Sequence, residues 1–267
     1  MAFSHQPQRS TKAVDYQDVA RPVAVLRDEY APGYSDARHS HRRSQLLYAC
    51  SGVMSVLTGH EGFIVPPLRA LWLPAGTVHE VKYRGRVSLR TLYLEPEVCA
   101  RMPDSCRVIE ISDFLRALIV EASRLPLEYD QKGRAGRIMA LLLDELALMP
   151  TAPLHAPMPR DPRLAPICRA FFESPAQHDR IEDWARAAGI GRCTLVRLFR
   201  RETGMSFATW RQNVRLLQAL SRLATGHSVT SVALDVGYNS PSAFTAMFHR
   251  AFGTPPSRYF DCAAAPA

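Results

Sequence analysis

One pattern occurs twice in the last third of this chain, and it constrains the fold more than any other feature. Ile181, Ala185, Gly189, Ile190, Leu195 and Phe199 form the first copy; Val229, Ala233, Gly237, Tyr238, Phe244 and Phe248 form the second, 48 residues later. In both, a small Ala lets a second helix approach the first, and a Gly four residues on supplies the tight turn of a helix-turn-helix. Leu195 follows its Gly by six residues and Phe244 follows its Gly by seven, so the second turn is one residue longer. The helical period places Leu195, Leu198 and Phe199 on a buried face. The opposite face then carries Cys193, Arg197, Arg200 and Arg201, flanked by Arg192 and Val196. In the second copy Phe244, Met247, Phe248 and Ala251 face the core, Ser242, Ala246 and His249 face outward, and Ser240 with Pro241 caps the helix.

Charge is divided unevenly along the chain. From residue 160 onward there are 14 Arg against 8 acidic residues, whereas residues 1–159 carry 19 basic and 17 acidic. A basic half joined to a nearly neutral one suits a polyanion-binding module fused to something else. An α-helix fits the major groove of B-DNA and Arg can bond both acceptors of a guanine edge. Arg197 is therefore the first candidate for base readout, while the second helix, poorer in donors, is left to read shape, thymine methyls or phosphates. Residues 207–224 read as one connecting helix of 18 residues, roughly 27 Å long. That length can set two recognition helices in successive major grooves, about 34 Å apart. On this connector Arg211 and Arg215 are candidate phosphate contacts, with a solvated face as the alternative. A helical domain that never meets DNA is the alternative for the whole unit.

At this point the chain resembles the AraC/XylS family of transcriptional regulators. The run from Leu195 to Phe207 (LVRLFRRETGMSF) matches its first motif, and the run from Val232 to Tyr259 (VALDVGYNSPSAFTAMFHRAFGTPPSRY) matches its closing hallmark. Ala246 departs from the pattern, standing where many members carry a basic side chain. The resemblance implies a double helix-turn-helix domain over residues 161–260, with 261–267 as a tail.

The first half reads differently. Residues 1–20 are polar and aperiodic and are expected to be a disordered tail. Over residues 21–110, short apolar runs such as Gln45–Cys50, Val53–Leu57, Ala70–Leu73 and Val87–Leu94 alternate with Gly and Pro, which predicts a small antiparallel β-barrel. Residues 111–149 turn helical: Ser112 is an N-cap candidate, and Arg134–Met149 carries Ile138, Leu141, Leu142, Glu145 and Leu148 at helical spacing. These helices read as core packing or as a dimerisation seam. Residues 150–160 read as a linker, since residues 150–166 hold six prolines. The fold class is thus α+β, with a β-barrel and helices first and an all-α domain after it.

Gly33-x5-His39-x-His41-x3-Gln45-x6-Gly52 resembles the first motif of the cupin barrels, with Gln in place of the usual Glu. Pro74-x-Gly76-x2-His79 resembles the core of the second, although Tyr83 stands where its closing Asn belongs and Leu68 where a leading Gly is expected. His39 and His41 lie two apart, so both point the same way on a strand. The resemblance implies that His39, His41, Gln45 and His79 face the barrel mouth. Three readings stay open: an effector pocket without metal, a divalent site for Zn, Fe, Ni or Mn, or histidines packed in a core. Trp72, Tyr48 and Phe63 are candidate pocket walls, each with core packing as the alternative. Arg38, Arg42 and Arg43 could attract an anionic effector or simply face solvent.

The six cysteines form no C-x-x-C pair, so free thiols in a reduced cytoplasm are expected, with Cys99 and Cys106 the one candidate redox pair. No apolar run approaches a membrane span. The combined expectation is a transcriptional regulator whose barrel senses a small molecule and whose paired motifs bind promoter DNA. It would act as a homodimer, with RNA polymerase a candidate partner, no required cofactor and a divalent metal an open option. The alternative is a metal-dependent cupin enzyme, an oxygenase or isomerase, carrying a DNA-binding tail.

Overall fold

A computed structural model describes residues 10–59, 61–151, 156–176 and 180–259, without the side chain of Glu173. The chain runs β1 (Val23–Tyr30), β2 (Ser35–His39), β3 (Ser44–Thr58), β4 (Glu61–Val65), β5 (Arg69–Leu73), β6 (His79–Leu94), β7 (Arg107–Glu110), α1 (Asp113–Ala122), α2 (Arg134–Leu148) and β8 (Ala156–Pro157). Six helices follow: α3 (Ala165–Glu173), α4 (Ile181–Ala187), α5 (Arg192–Thr203), α6 (Phe207–Ala224), α7 (Val229–Asp235) and α8 (Pro241–Phe252).

The eight strands form one antiparallel sheet organised on the long pair β3 and β6. At one end β1 pairs β6 and β5 pairs β3, with β7 outside β5; at the other, β2 pairs β6 and β4 pairs β3, with β8 outside β4. The two ends meet where β3 shifts register between Ala49 and Val53. Gly52 sits there at φ +79°, and a Cβ on it would collide with the Arg86 carbonyl, so a bulge bends both strands. The expected barrel is therefore corrected. The sheet does not close, because its outer strands end without pairing each other among the described residues.

Alternation along the strands gives the curled sheet two apolar faces. Ala24, Leu26, Leu47, Val81, Leu89 and Tyr93 face the concave interior. Val23, Val25, Leu46, Tyr48, Trp72 and Leu92 face α1 and α2, where Leu115, Ile119, Met139 and Leu142 cover them. Ser112 accepts from the Leu115 amide as the N-cap of α1.

Two expected loose segments are packed instead. Of the supposed tail, residues 1–9 lie outside the described residues, but Tyr16 is buried and Ala13–Tyr16 forms a 3₁₀ turn against the concave face. Arg43, fully buried, holds this strap by donating to the Gln17, Val19 and Arg21 carbonyls and pairing with Glu95 at 2.7 Å. Of the supposed linker, residues 152–155 lie outside the described residues. Ala156–Pro157 adds a strand to β4, and Pro157 accepts from Trp210 Nε1 at 2.8 Å. Backbone groups bonded in this way do not behave as a free linker.

Each helix-turn-helix has its own core. Trp184, Leu195, Phe199, Phe207 and Trp210 pack with Phe171 of α3 and with Val53, Ile64 and Ala156 from the sheet. Leu216, Leu220, Val232, Phe244 and Phe248 form the second core. α6 contributes to both. Gly189 and Gly237 take the left-handed φ that their turns require, +65° and +84°. The turn between α7 and α8 is one residue longer than that between α4 and α5.

Candidate effector cavity and nucleic-acid interface

The concave face encloses a cavity of about 380 Å³, within the range of small-molecule sites. The end of β2 brings His39 to it, the turn into β3 brings His41, the start of β6 brings His79, and β3 brings Gln45. The imidazole rings cluster, with centroids 4.4 Å apart for His39 and His79, 4.8 Å for His39 and His41 and 5.4 Å for His41 and His79. His39 donates from Nδ1 to the Ala37 carbonyl and His79 from Nδ1 to the Thr77 carbonyl. Both rings are therefore held in the tautomer that leaves Nε2 as a lone pair. Gln45 donates to Thr91 Oγ1 at 3.1 Å. Three buried atoms, His41 Nε2, His79 Nε2 and Gln45 Oε1, find no hydrogen-bond partner among the described residues.

Such orphaned acceptors are costly, and here they sit together. One nitrogen from each imidazole lies within 4.8 Å of the others. Burial, and then the charges His39 and His79 would carry, push His41 down to about 4. Burial lowers His79 as well. Both shifts favour the neutral imidazole, the form that donates an electron pair. With Gln45 Oε1 these residues fit a divalent ion of the imidazole-preferring class, and they equally fit a ligand rich in hydrogen-bond donors.

The remaining wall was not anticipated. Tyr30, Tyr34 and Tyr83 stack in series, with centroids 4.9 Å apart for Tyr30 and Tyr34 and 4.1 Å for Tyr30 and Tyr83, and Tyr83 donates to Asp36 at 2.7 Å. Burial raises both Tyr30 and Tyr83, and Asp36 reinforces it, so both phenols stay protonated. Thr91, Tyr93, Asp28 and Lys12 also line it. The signal for β6 was its alternation, since Leu89, Thr91 and Tyr93 all point inward.

Several expected pocket residues lie elsewhere. Trp72 faces the helices and donates to the Pro103 carbonyl, because its strand position has the parity of Leu46 rather than Leu47. Tyr48 is on that side too, and Phe63 is a core side chain. Arg42 pairs with Asp18 and Glu95, and Arg43 clamps the strap, so neither offers a free charge to an anion. Cys99 and Cys106 are free thiols.

On the helical side the expected reading face of α5 is present. Arg192, Cys193, Val196, Arg197, Arg200 and Arg201 are all exposed, with Leu195, Leu198 and Phe199 buried beneath them. Arg192 reaches Glu182 at 3.4 Å and Arg201 reaches Glu202 at 3.2 Å. On α8, Ser240 caps the helix ahead of Pro241, and Ser242, Ala246 and His249 are exposed. Ala251 is exposed rather than in the core, where Phe252 packs instead. Arg250, beside it, is an exposed cation the pattern had not singled out. The connector cations are corrected. Arg215 donates to the Pro175 carbonyl and lies over Phe171 and Tyr238, and Arg211 lies over Phe171 and Phe207. Both lay their guanidinium planes against aromatic rings of the first core.

Comparison with known proteins agrees with this layout. Residues 21–149 match an AraC-like ligand binding domain and residues 184–261 a helix-turn-helix domain. The HTH-type transcriptional regulator NimR of Escherichia coli is 32% identical over 83% of this chain and 81% of its own. The arabinose operon regulatory protein of Salmonella typhimurium is 26% identical over 74% of this chain and 76% of its own. Among solved structures, ToxT of Vibrio cholerae aligns over 92% of this chain and all of its own at 9% identity, with a TM-score of 0.40. With a ligand-binding domain match ahead of a helix-turn-helix match, and with NimR 32% identical along most of both chains, the chain belongs to the AraC/XylS family of transcriptional regulators.

Proposed function

We propose that α5 and α8 enter successive major grooves of a promoter and that the histidine cavity takes the small molecule that controls them. The observation that carries this reading is the exposed α5 face, where Arg197 and Arg200 make no ion pair among the described residues on a helix anchored from below. Arg197 is the direct reader of a guanine edge; Ser242, Ala246 and His249 on α8 contribute shape and backbone contacts. DNase footprinting on the promoter of an adjacent gene tests the geometry. Two protected segments about one helical turn apart are expected; protection of a single groove would overturn it.

The cavity binds rather than catalyses in this reading. The atoms His41 Nε2, His79 Nε2 and Gln45 Oε1, without a partner among the described residues, favour a second possibility, that a bound divalent ion forms part of the effector site. Elemental analysis of the purified protein, and of a His41→Ala variant, decides it. Stoichiometric Zn, Fe, Ni or Mn lost in the variant supports the ion, and its absence from both leaves an effector pocket lined by hydrogen-bond acceptors.

The protein acts as a homodimer through α1 and α2, whose outer faces leave Phe114, Leu141 and Leu148 at 51%, 41% and 65% exposure. Sedimentation of the intact chain tests this, and Leu141→Lys together with Leu148→Lys should yield monomer. At the promoter RNA polymerase is the candidate partner. No helix among the described residues is long and apolar enough to cross a membrane, consistent with action in the cytoplasm, where the DNA is.

A further inference from the structure

A second cavity, about 450 Å³ in volume, lies on the other side of the sheet from the histidines, between β3, β4 and β6 and helix α3. Its walls come from both halves of the chain. Arg38, Lys82 and Arg84 enter from the sheet, and Arg169 enters from α3. Glu80 is the one carboxylate among its described lining residues. None of the four cations has a carboxylate within ion-pair distance among the described residues. Arg84 is the informative one. It is largely buried, yet it donates to neutral groups, Ser55 Oγ and Gln218 Oε1, each at 2.7 Å. Burial and the neighbouring Arg222 both disfavour its charge. A guanidinium in that position is normally matched by an anion. Leu57, Ile64, Met158 and Phe172 supply an apolar floor beside it.

We propose that this cleft is a second ligand site, taking a small organic anion whose carboxylate or phosphate lies among Lys82, Arg84 and Arg169 and whose apolar body covers Phe172. Such a ligand bridges the sheet to α3 and fixes how the DNA-binding helices are held. The site is separate from the histidine cavity and does not depend on what that cavity binds.

Titration calorimetry on the full chain tests it with four probes: phenylacetate, phenyl phosphate, inorganic phosphate and the neutral 2-phenylethanol. Saturable binding of phenylacetate or phenyl phosphate is expected, with 2-phenylethanol at least tenfold weaker, because a charged hydrogen bond is at stake. Binding of inorganic phosphate as tight as that of phenyl phosphate would show that the apolar floor adds nothing and overturn the organic part of the proposal. Lys82→Gln combined with Arg169→Gln, both exposed and so neutral to folding, should weaken the anions about tenfold or more. His41→Gln should leave their affinity unchanged. Equal affinity for 2-phenylethanol, loss of binding in His41→Gln but not in the double variant, or no saturation below about 10 mM would each overturn the site.

Discussion

Single residues carry the sharpest consequences. Arg197 stands on the exposed face of α5 without an ion-pair partner among the described residues, so its truncation should leave the fold intact and test the proposed DNA contact. Arg197→Ala should cost about 1–3 kcal/mol at the cognate site and relax base preference there, as read by titration against a panel of single-base variants. An equal loss on every sequence would make it a phosphate contact. His41 gives a pH dependence. Its folded value of about 4 lies below the ordinary 6.5, so between those values the unfolded chain binds a proton that the folded chain does not. The contribution is complete above pH 6.5 and is lost as pH falls toward 4. The thermal midpoint should therefore drop on acidification through that window, and His41→Gln should flatten the slope. A slope equal to wild type would mean that another group is titrating.

At the scale of elements, α6 does the most. Its buried side chains serve both helix-turn-helix cores, and Trp210 at its first half is fully buried against Phe171, Phe199 and Phe207. Trp210→Ala should lower stability by about 3–5 kcal/mol, measured by urea unfolding, and weaken DNA binding because Phe199 anchors α5. Two elements were legible only in part from the chain. The strap at Ala13–Tyr16 has no periodicity to betray it, since its order comes from Arg43, just ahead of β3, reaching across to the segment that follows it. Arg211 and Arg215 look like solvent-facing cations on a helical wheel. They are drawn inward by aromatic rings on α3, a segment the wheel of α6 does not contain.

The whole molecule joins its halves tightly. Val53, Ile64 and Ala156 are part of the first DNA-binding core, Arg84 bonds Gln218 of α6, and Gly85 (φ +73°) lies so close to Thr225 that a Cβ would reach to 2.9 Å of its methyl. Tyr83 points into the histidine cavity while Arg84, its neighbour, reaches α6. A ligand that moves β6 on one face moves the connector on the other. A fragment of residues 158–267 should bind promoter DNA but ignore the effector, and it should melt lower than the intact chain because the sheet no longer covers Phe172. Effector response retained in the fragment would remove the coupling.

The paired helix-turn-helix units, the exposed α5 face, the caps at Ser112 and Ser240 and the grouping of His39, His41, Gln45 and His79 were all readable along the chain. Local periodicity and turn chemistry determine the first three within a few residues, whereas the grouping of the histidines with Gln45 was implied by the resemblance of two separate stretches to the cupin motifs. The open curl of the sheet, the side of it that Trp72 faces, the tyrosine wall, the packed strap and the cationic cleft were not. Each depends on register or on contacts between residues far apart in sequence, as with Arg84 and Gln218 or Arg43 and Val19. A one-residue change of register moves a side chain from one face of a sheet to the other, and no pattern within a single strand states which register the neighbours will choose.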